Sequence, residues 1–315
     1  MKRLLLSVLL CCSAVVLKAE RVVFAPQWTP QSQFAGYYVA QEKGFFKEEG
    51  LDVVFIHRSL HSSENNTELL MQGDVHIAGM QLLQTMLARE QQGLPLVSVM
   101  QLTQVSGLCC VAQQSISSPL QLNGLNVGRW ASGFSEFCDM LERADSIHIH
   151  WIPCTSGNNL FLFGAVDATL CYNFSELISL ELATGPIPAD QILAFSDFGY
   201  RCPEDGLTVT EAYLRSHPDA VAAFVRASRR GWDYTREHRQ EALDITWKYI
   251  TEAHITTNQE KERRMLDTYL QLQVNPATGR ADYAPVSRAI FREMNEGLLK
   301  TGSIPDSVPY PSMIR

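Results

Sequence analysis

Residues 24–56 read FAPQWTPQSQFAGYYVAQEKGFFKEEGLDVVFI. The stretch parses as strand, loop, helix, turn and strand. Val22, Val23 and Phe24 form a short β-prone run. Gln27-Trp28-Thr29-Pro30 breaks it, because proline fixes φ and removes a donor. Residues 34–41 begin a helix, and Gly44 supplies the permissive backbone for a turn near its end. Residues 47–50 are a polar extension with a second glycine stop. Residues 51–56 are an apolar run of the buried-strand kind. A βαβ unit of this length makes its two strands parallel, with a right-handed crossover. Ligands of such sheets bind beyond the carboxyl ends of the strands. Trp28 follows the first strand and residues 57–63 follow the second. The unit therefore already points to a binding crevice.

Further along the chain the same rhythm continues. Ser62-Ser63-Glu64 caps a helix over about 65–71. Residues 75–78 are a third strand, ending at Gly79. Residues 82–91 are helical, and 96–102 are a fourth strand. Residues 104–107 read as a crossing. A second half follows, with strands at 108–112, 125–128, 148–152, 168–172 and 192–195. Its strand-end loops carry Trp130-Ala131-Ser132-Gly133, Tyr172-Asn173-Phe174-Ser175-Glu176 and Asp197. From Thr210 onward the composition turns amphipathic and helical, with Ala220, Phe224, Ala227 and Gly231 at helical spacing. The expected fold is α/β: two doubly wound lobes, an interlobe cleft and a helical carboxyl region. The expected division is 1–19 leader, 20–102 lobe I, 103–206 lobe II and 207–315 completion of lobe I.

Trp28-x-Pro30 followed by QFAGYYVAQEKGFFKEEGLDV (residues 33–53) resembles the NMT1/THI5-like group of periplasmic substrate-binding proteins. That group includes sulfonate-type binders and thiamine-pyrimidine precursor binders of ABC importers. The resemblance continues more weakly to about Trp247. It implies a type II periplasmic binding protein whose lobes close on ligand by hinge motion. It also implies an ABC permease and its ATPase as partners.

The bulk numbers agree with export. The chain has 315 residues, 46% of them hydrophobic, and a net charge of −8. Met1-Lys2-Arg3 and the apolar run 4–17 read as a secretory leader, with cleavage near Ala19. A lipoprotein reading through Cys11 or Cys12 is weaker, because Leu10 precedes Cys11. Without residues 1–19 the chain keeps 23 basic and 34 acidic residues, a net charge of −11. That argues against nucleic acid or another anionic polymer as partner. Six cysteines remain after the leader, with no CxxC spacing that would suggest zinc. An oxidising compartment permits disulfides among them, without fixing a pairing. Cys109 and Cys171 lie in apolar runs, where cysteine is often a small buried hydrophobe.

A cleft for a flat heteroaromatic ring needs aromatic faces and a few fixed polar groups. The candidates are Trp28, Tyr37, Gly79, Trp130, Ser132, Tyr172, Asn173, Glu176 and Asp197. Tyr37 and Tyr38 are successive on a helix, so one alone can face the cleft, and the resemblance favours Tyr37. The resemblance also gives Glu176 the role of an acid fixing the ring's polar edge. Ser132-Gly133 opens a helix whose free N–H groups suit a carbonyl or anion. The expected ligand is a thiamine pyrimidine precursor of the formylaminopyrimidine or hydroxymethylpyrimidine type. The alternative is a sulfonate, taurine or nitrate-type anion, for which Arg58 and Arg129 stand where they would serve. A further alternative is a ligand-sensing lobe for a membrane kinase. Fungal pyrimidine synthases that resemble this family use a histidine and a CCCFC motif with iron and pyridoxal phosphate. His57 and His61 are the histidines concerned here, but the sequence has no CCCFC run. A binding protein with no cofactor is therefore expected, not an enzyme.

Overall fold

The computed structural model describes residues 19–57, 65–131, 134–155, 158–283 and 285–314. Residues 1–18 of the expected leader, Arg58, His61, the Ser62–Glu64 cap and Ser132 lie outside the described residues. The strands are β1 (Glu20–Ala25), β2 (Leu51–Phe55), β3 (Ile77–Met80), β4 (Leu96–Gln101), β5 (Leu108–Ala112), β6 (Asn126–Trp130), β7 (His150–Cys154), β8 (Ala168–Tyr172), β9 (Ile192–Ala194) and β10 (Gly206–Thr210).

They form two five-stranded sheets, ordered β2-β1-β3-β10-β4 and β7-β6-β8-β5-β9. In the first, β1 lies parallel to β2 and β3, as the opening βαβ unit requires. β10 sits antiparallel between β3 and β4. In the second, β6 is parallel to β7 and β8, while β5 is antiparallel to β8 and β9. Each sheet thus takes its fourth strand from a segment arriving from the other lobe, which enters against the local strand direction. β10, with sequence GLTVT, is not among the expected strands. It is paired on both sides and almost fully buried.

Helix Ala35–Glu42 crosses helix Pro218–Glu237 at very close range. A Cβ on Gly36 would lie 2.2 Å from Cδ2 of Trp232, and one on Gly231 would lie 2.0 Å from the Gly36 carbonyl oxygen. Tyr37 is consequently a core residue. Its ring meets Phe24 at 4.9 Å and Trp232 at 5.7 Å, and it is 3% exposed. The expectation that Tyr37 faces the cleft is corrected: its helix turns that side toward Trp232.

The carboxyl end also departs from expectation. Phe291, Met294 and Leu298, on helix Arg288–Lys300, share a core with Phe137 and Leu141 of the second lobe. Ile314 makes a bridge to Ser98 in β4. The chain's end therefore straddles both lobes instead of only completing the first. Helical periodicity reveals that an apolar face exists, but not which partner covers it.

Cys109, Cys110, Cys138, Cys154, Cys171 and Cys202 are free thiols. Cys109 stands opposite Cys171 in the β5–β8 register. Burial pushes the Cys110, Cys138 and Cys202 thiols well up, which makes them inert packing groups. Among the described residues no helix is long and apolar enough to cross a membrane.

Candidate ligand cleft

Strand ends and helix starts converge on one cleft of about 480 Å³. This lies within the roughly 300–1,000 Å³ usual for small-molecule sites. Gln27 and Trp28 follow β1, and Gly79, Met80 and Gln81 close β3. Asn65 to Glu68 open helix Asn66–Gln72, where Asn65 and Glu68 form a reciprocal capping box. From the second lobe, Trp130 ends β6 and Tyr172 ends β8. Phe134 and Glu176 stand at the starts of helices Ser135–Asp145 and Glu176–Thr184. At Gly79 the strand end packs tightly on the loop after β1: a Cβ there would come within 3.1 Å of the Gln27 backbone nitrogen.

The two walls touch. Trp28 and Trp130 meet edge to face, with ring centroids 6.0 Å apart and planes at 64°. Gln81 Nε2 donates to Tyr172 Oη at 2.5 Å. Tyr172 continues the aromatic lining by packing on Phe134 at 5.4 Å and stacking on Phe174 at 5.0 Å. Glu176 organises this wall: its Oε1 accepts from Trp130 Nε1 at 3.2 Å, and its Oε2 accepts from the Tyr172 amide at 2.9 Å.

Glutamine dominates the polar part of the lining, as Gln27, Gln31, Gln33, Gln81, Gln84, Gln91 and Gln92. Glu68, Glu136 and Glu176 are its carboxylates, and among the described residues it has no lysine or arginine. Arg129 is not in the lining; its guanidinium donates to the Trp130 carbonyl at 3.3 Å. Among the described residues no group of three or more His, Cys, Asp and Glu side chains could hold a metal ion.

Sequence reasoning missed the acidic pair at the crossing. Glu204 and Asp205 are 2% and 4% exposed. Glu204 accepts from Ser106 Oγ at 2.7 Å and from the Gly107 amide at 3.1 Å. Burial nevertheless raises its carboxyl to about 8. Asp205 accepts from Gln33 Nε2 and from Tyr269 Oη, and burial raises it to about 6. Glu204 thus ties residues 202–205, which lead into β10, to the outgoing crossing at 104–107, and Asp205 ties them to Gln33 and Tyr269. The one available signal was acid next to acid in a short apolar context, Cys202-Pro203-Glu204-Asp205-Gly206.

Five of the nine candidate residues come together in the cleft: Trp28, Gly79, Trp130, Tyr172 and Glu176. Asn173 does not line it. Its amide donates to the Gly107 carbonyl at 2.8 Å, which places it at the crossing. Asp197 does not line it either; it is exposed on the turn Phe195–Phe198. His57 lies behind the Trp28 loop with Nδ1 3.2 Å from the Trp28 carbonyl oxygen. Burial lowers it to about 4, so the imidazole is neutral.

Comparison with known proteins agrees with this geometry. The sequence model of the NMT1/THI5-like family matches residues 31–242. The chain is 28% identical over 268 residues to a formylaminopyrimidine-binding protein of Halalkalibacterium halodurans, covering 82% of this chain and 79% of that one. It is also 28% identical over 246 residues to the riboflavin-binding protein RibY of Chloroflexus aurantiacus, covering 75% and 68%. The fold matches the periplasmic aliphatic sulphonate-binding protein SsuA of Escherichia coli with a TM-score of 0.64 at 14% identity, over 92% of this chain and 95% of that one.

Proposed function

The chain belongs to the NMT1/THI5-like family, and we propose on that basis that it is the exported solute-binding protein of an ABC importer for a thiamine pyrimidine precursor. The observation that carries the proposal is the cleft's lining: aromatic faces and amides, with no lysine or arginine among the described residues. A sulfonate or nitrate needs cationic or clustered N–H partners. A neutral heterocycle needs a flat apolar face and a few hydrogen-bonding groups at its edge. Because the two indoles already meet at 6.0 Å, the ring stacks on an open indole face beside the pair, not between them. Glu176 holds the Trp130 indole for that contact and adds negative potential to the wall.

A flavin-type ring is the second reading. The size of the cleft and the match to a riboflavin-binding relative favour it. An enzymatic role is set aside: the matched relatives named above are binding proteins, and the CCCFC run of the fungal synthases is missing from the sequence. Export rests on the leader at residues 1–19 and on the family. Native mass spectrometry of protein purified from its host tests the proposal. A co-purified neutral aminopyrimidine is expected, and a bound sulfonate would overturn the assignment.

A further inference from the structure

We infer that the first-lobe wall of the cleft is built to accept hydrogen bonds, and that Gln33 and Asp205 are the positioning residues that hold it so. The inference rests on the heterocycle reading above and states which edge of the ring that wall takes. Gln31 lines the cleft and donates through Nε2 to Oε1 of Gln33. Gln33 donates through its own Nε2 to Oδ2 of Asp205, which also accepts from Tyr269 Oη at 2.5 Å. The inner members are buried: Gln33 is 6% exposed, Asp205 4% and Tyr269 0%.

Each glutamine amide has one accepting oxygen and one donating nitrogen, so the chain's polarity is set from its buried end. The Asp205 oxygen accepts, so Gln33 turns its nitrogen inward and its oxygen outward. Gln31 then turns its nitrogen to Gln33 and keeps its oxygen for the cleft. Two more oxygens on this wall stand without donors. Asn66 is 7% exposed and gives Nδ2 to the carbonyls of Ala25, Pro26 and Gly79 at 3.3, 3.2 and 2.8 Å. Those three acceptors fix the orientation of its amide and leave Oδ1 buried with no partner. Gln27 Oε1 is likewise buried and unpaired. A buried acceptor without a donor costs free energy until one arrives. Gln31 Oε1 at the cleft therefore favours a ring edge that carries N–H over one that carries only lone pairs or methyl groups, with the shielded Asn66 and Gln27 oxygens adding to the accepting character behind it. It assigns the exocyclic amine of a pyrimidine ligand to the first lobe, opposite Glu176.

The test is calorimetric titration with 4-amino-5-hydroxymethyl-2-methylpyrimidine and with its counterpart bearing hydrogen in place of the amine. The wild type should prefer the amino compound by about tenfold or more, one hydrogen bond's difference. Gln31→Met and Gln33→Met should each reduce that ratio to within about threefold. Asp205→Asn keeps an accepting oxygen for Gln33 and Tyr269, so it should retain the wild-type ratio. If Gln33→Met fails to fold by circular dichroism, Gln31→Met and Asp205→Asn decide. An unchanged ratio in Gln31→Met overturns the acceptor wall, and an unchanged ratio in a folded Gln33→Met overturns the relay. A wild type that binds both compounds equally sinks this inference alone. A wild type that binds neither sinks the pyrimidine reading together with it.

Discussion

At Glu204, burial and hydrogen bonding oppose each other. Ser106 and Gly107 donate to the carboxylate, yet desolvation wins and raises the group from its usual range to about 8. The folded protein therefore holds a proton that the unfolded chain releases near pH 4.5. Stability contributed by this group is full below that pH and declines as pH rises toward 8, because the native state then binds more protons than the unfolded one. Asp205, raised to about 6, acts in the same direction over a lower window. Glu204→Gln keeps the accepting oxygen and cannot ionise. Urea unfolding at about pH 5 and about pH 8.5 should show the wild type losing on the order of a few kcal/mol more than the variant across that interval. Equal slopes would mean that Glu204 is ionised throughout. Single residues were readable in the sequence where local geometry decides. Trp28, Gly79, Trp130, Tyr172 and Glu176 lie at or just beyond strand ends, and those ends face the cleft. Tyr37 misled because adjacent tyrosines on a helix leave the choice of face to a partner far along the chain, Trp232. The Gln31–Gln33–Asp205 relay was illegible for the same reason, since Gln31 and Gln33 follow β1 while Asp205 stands 172 residues beyond Gln33, just before β10.

Among the elements, the crossing of helices Ala35–Glu42 and Pro218–Glu237 shows how backbone space sets the sign of a substitution. Alanine in an open helix position is favoured over glycine by up to about 1 kcal/mol. On helix Arg288–Lys300, a Cβ added at Gly297 would meet no atom within 4 Å. Gly297→Ala should therefore raise thermal stability slightly. Gly231 sits where a Cβ would strike the Gly36 carbonyl oxygen at 2.0 Å and the Ala40 Cβ at 2.8 Å. Overpacking of this kind costs roughly 3 kcal/mol, which outweighs the propensity gain. Gly231→Ala should lower the unfolding temperature by several degrees, as read by circular dichroism. A neutral result would mean that the two helices separate without cost. The helices and the parallel strands were readable from periodicity and glycine stops. β10 was not, because GLTVT follows an irregular segment and gains its order from two flanking strands, β3 and β4, far earlier in the chain.

For the whole molecule, the two sheets share one plan and meet across a cleft whose walls are bridged by Trp28–Trp130 and Gln81–Tyr172. A ligand favours this arrangement only by making contacts in it that it cannot make with the lobes apart. On the proposed reading, the aromatic platform on one wall and the amide array on the other would give a flat, N–H-bearing ring such contacts. The lining gives an anion no lysine or arginine among the described residues. Charge and shape together thus decide what the cleft takes, and one calorimetric titration separates the two ligand classes. The purified protein is titrated with formylaminopyrimidine, hydroxymethylpyrimidine and taurine under the same conditions. Saturable binding of at least one pyrimidine, with none of taurine, is expected; binding of taurine with neither pyrimidine would make the cleft an anion site and contradict the heterocycle assignment.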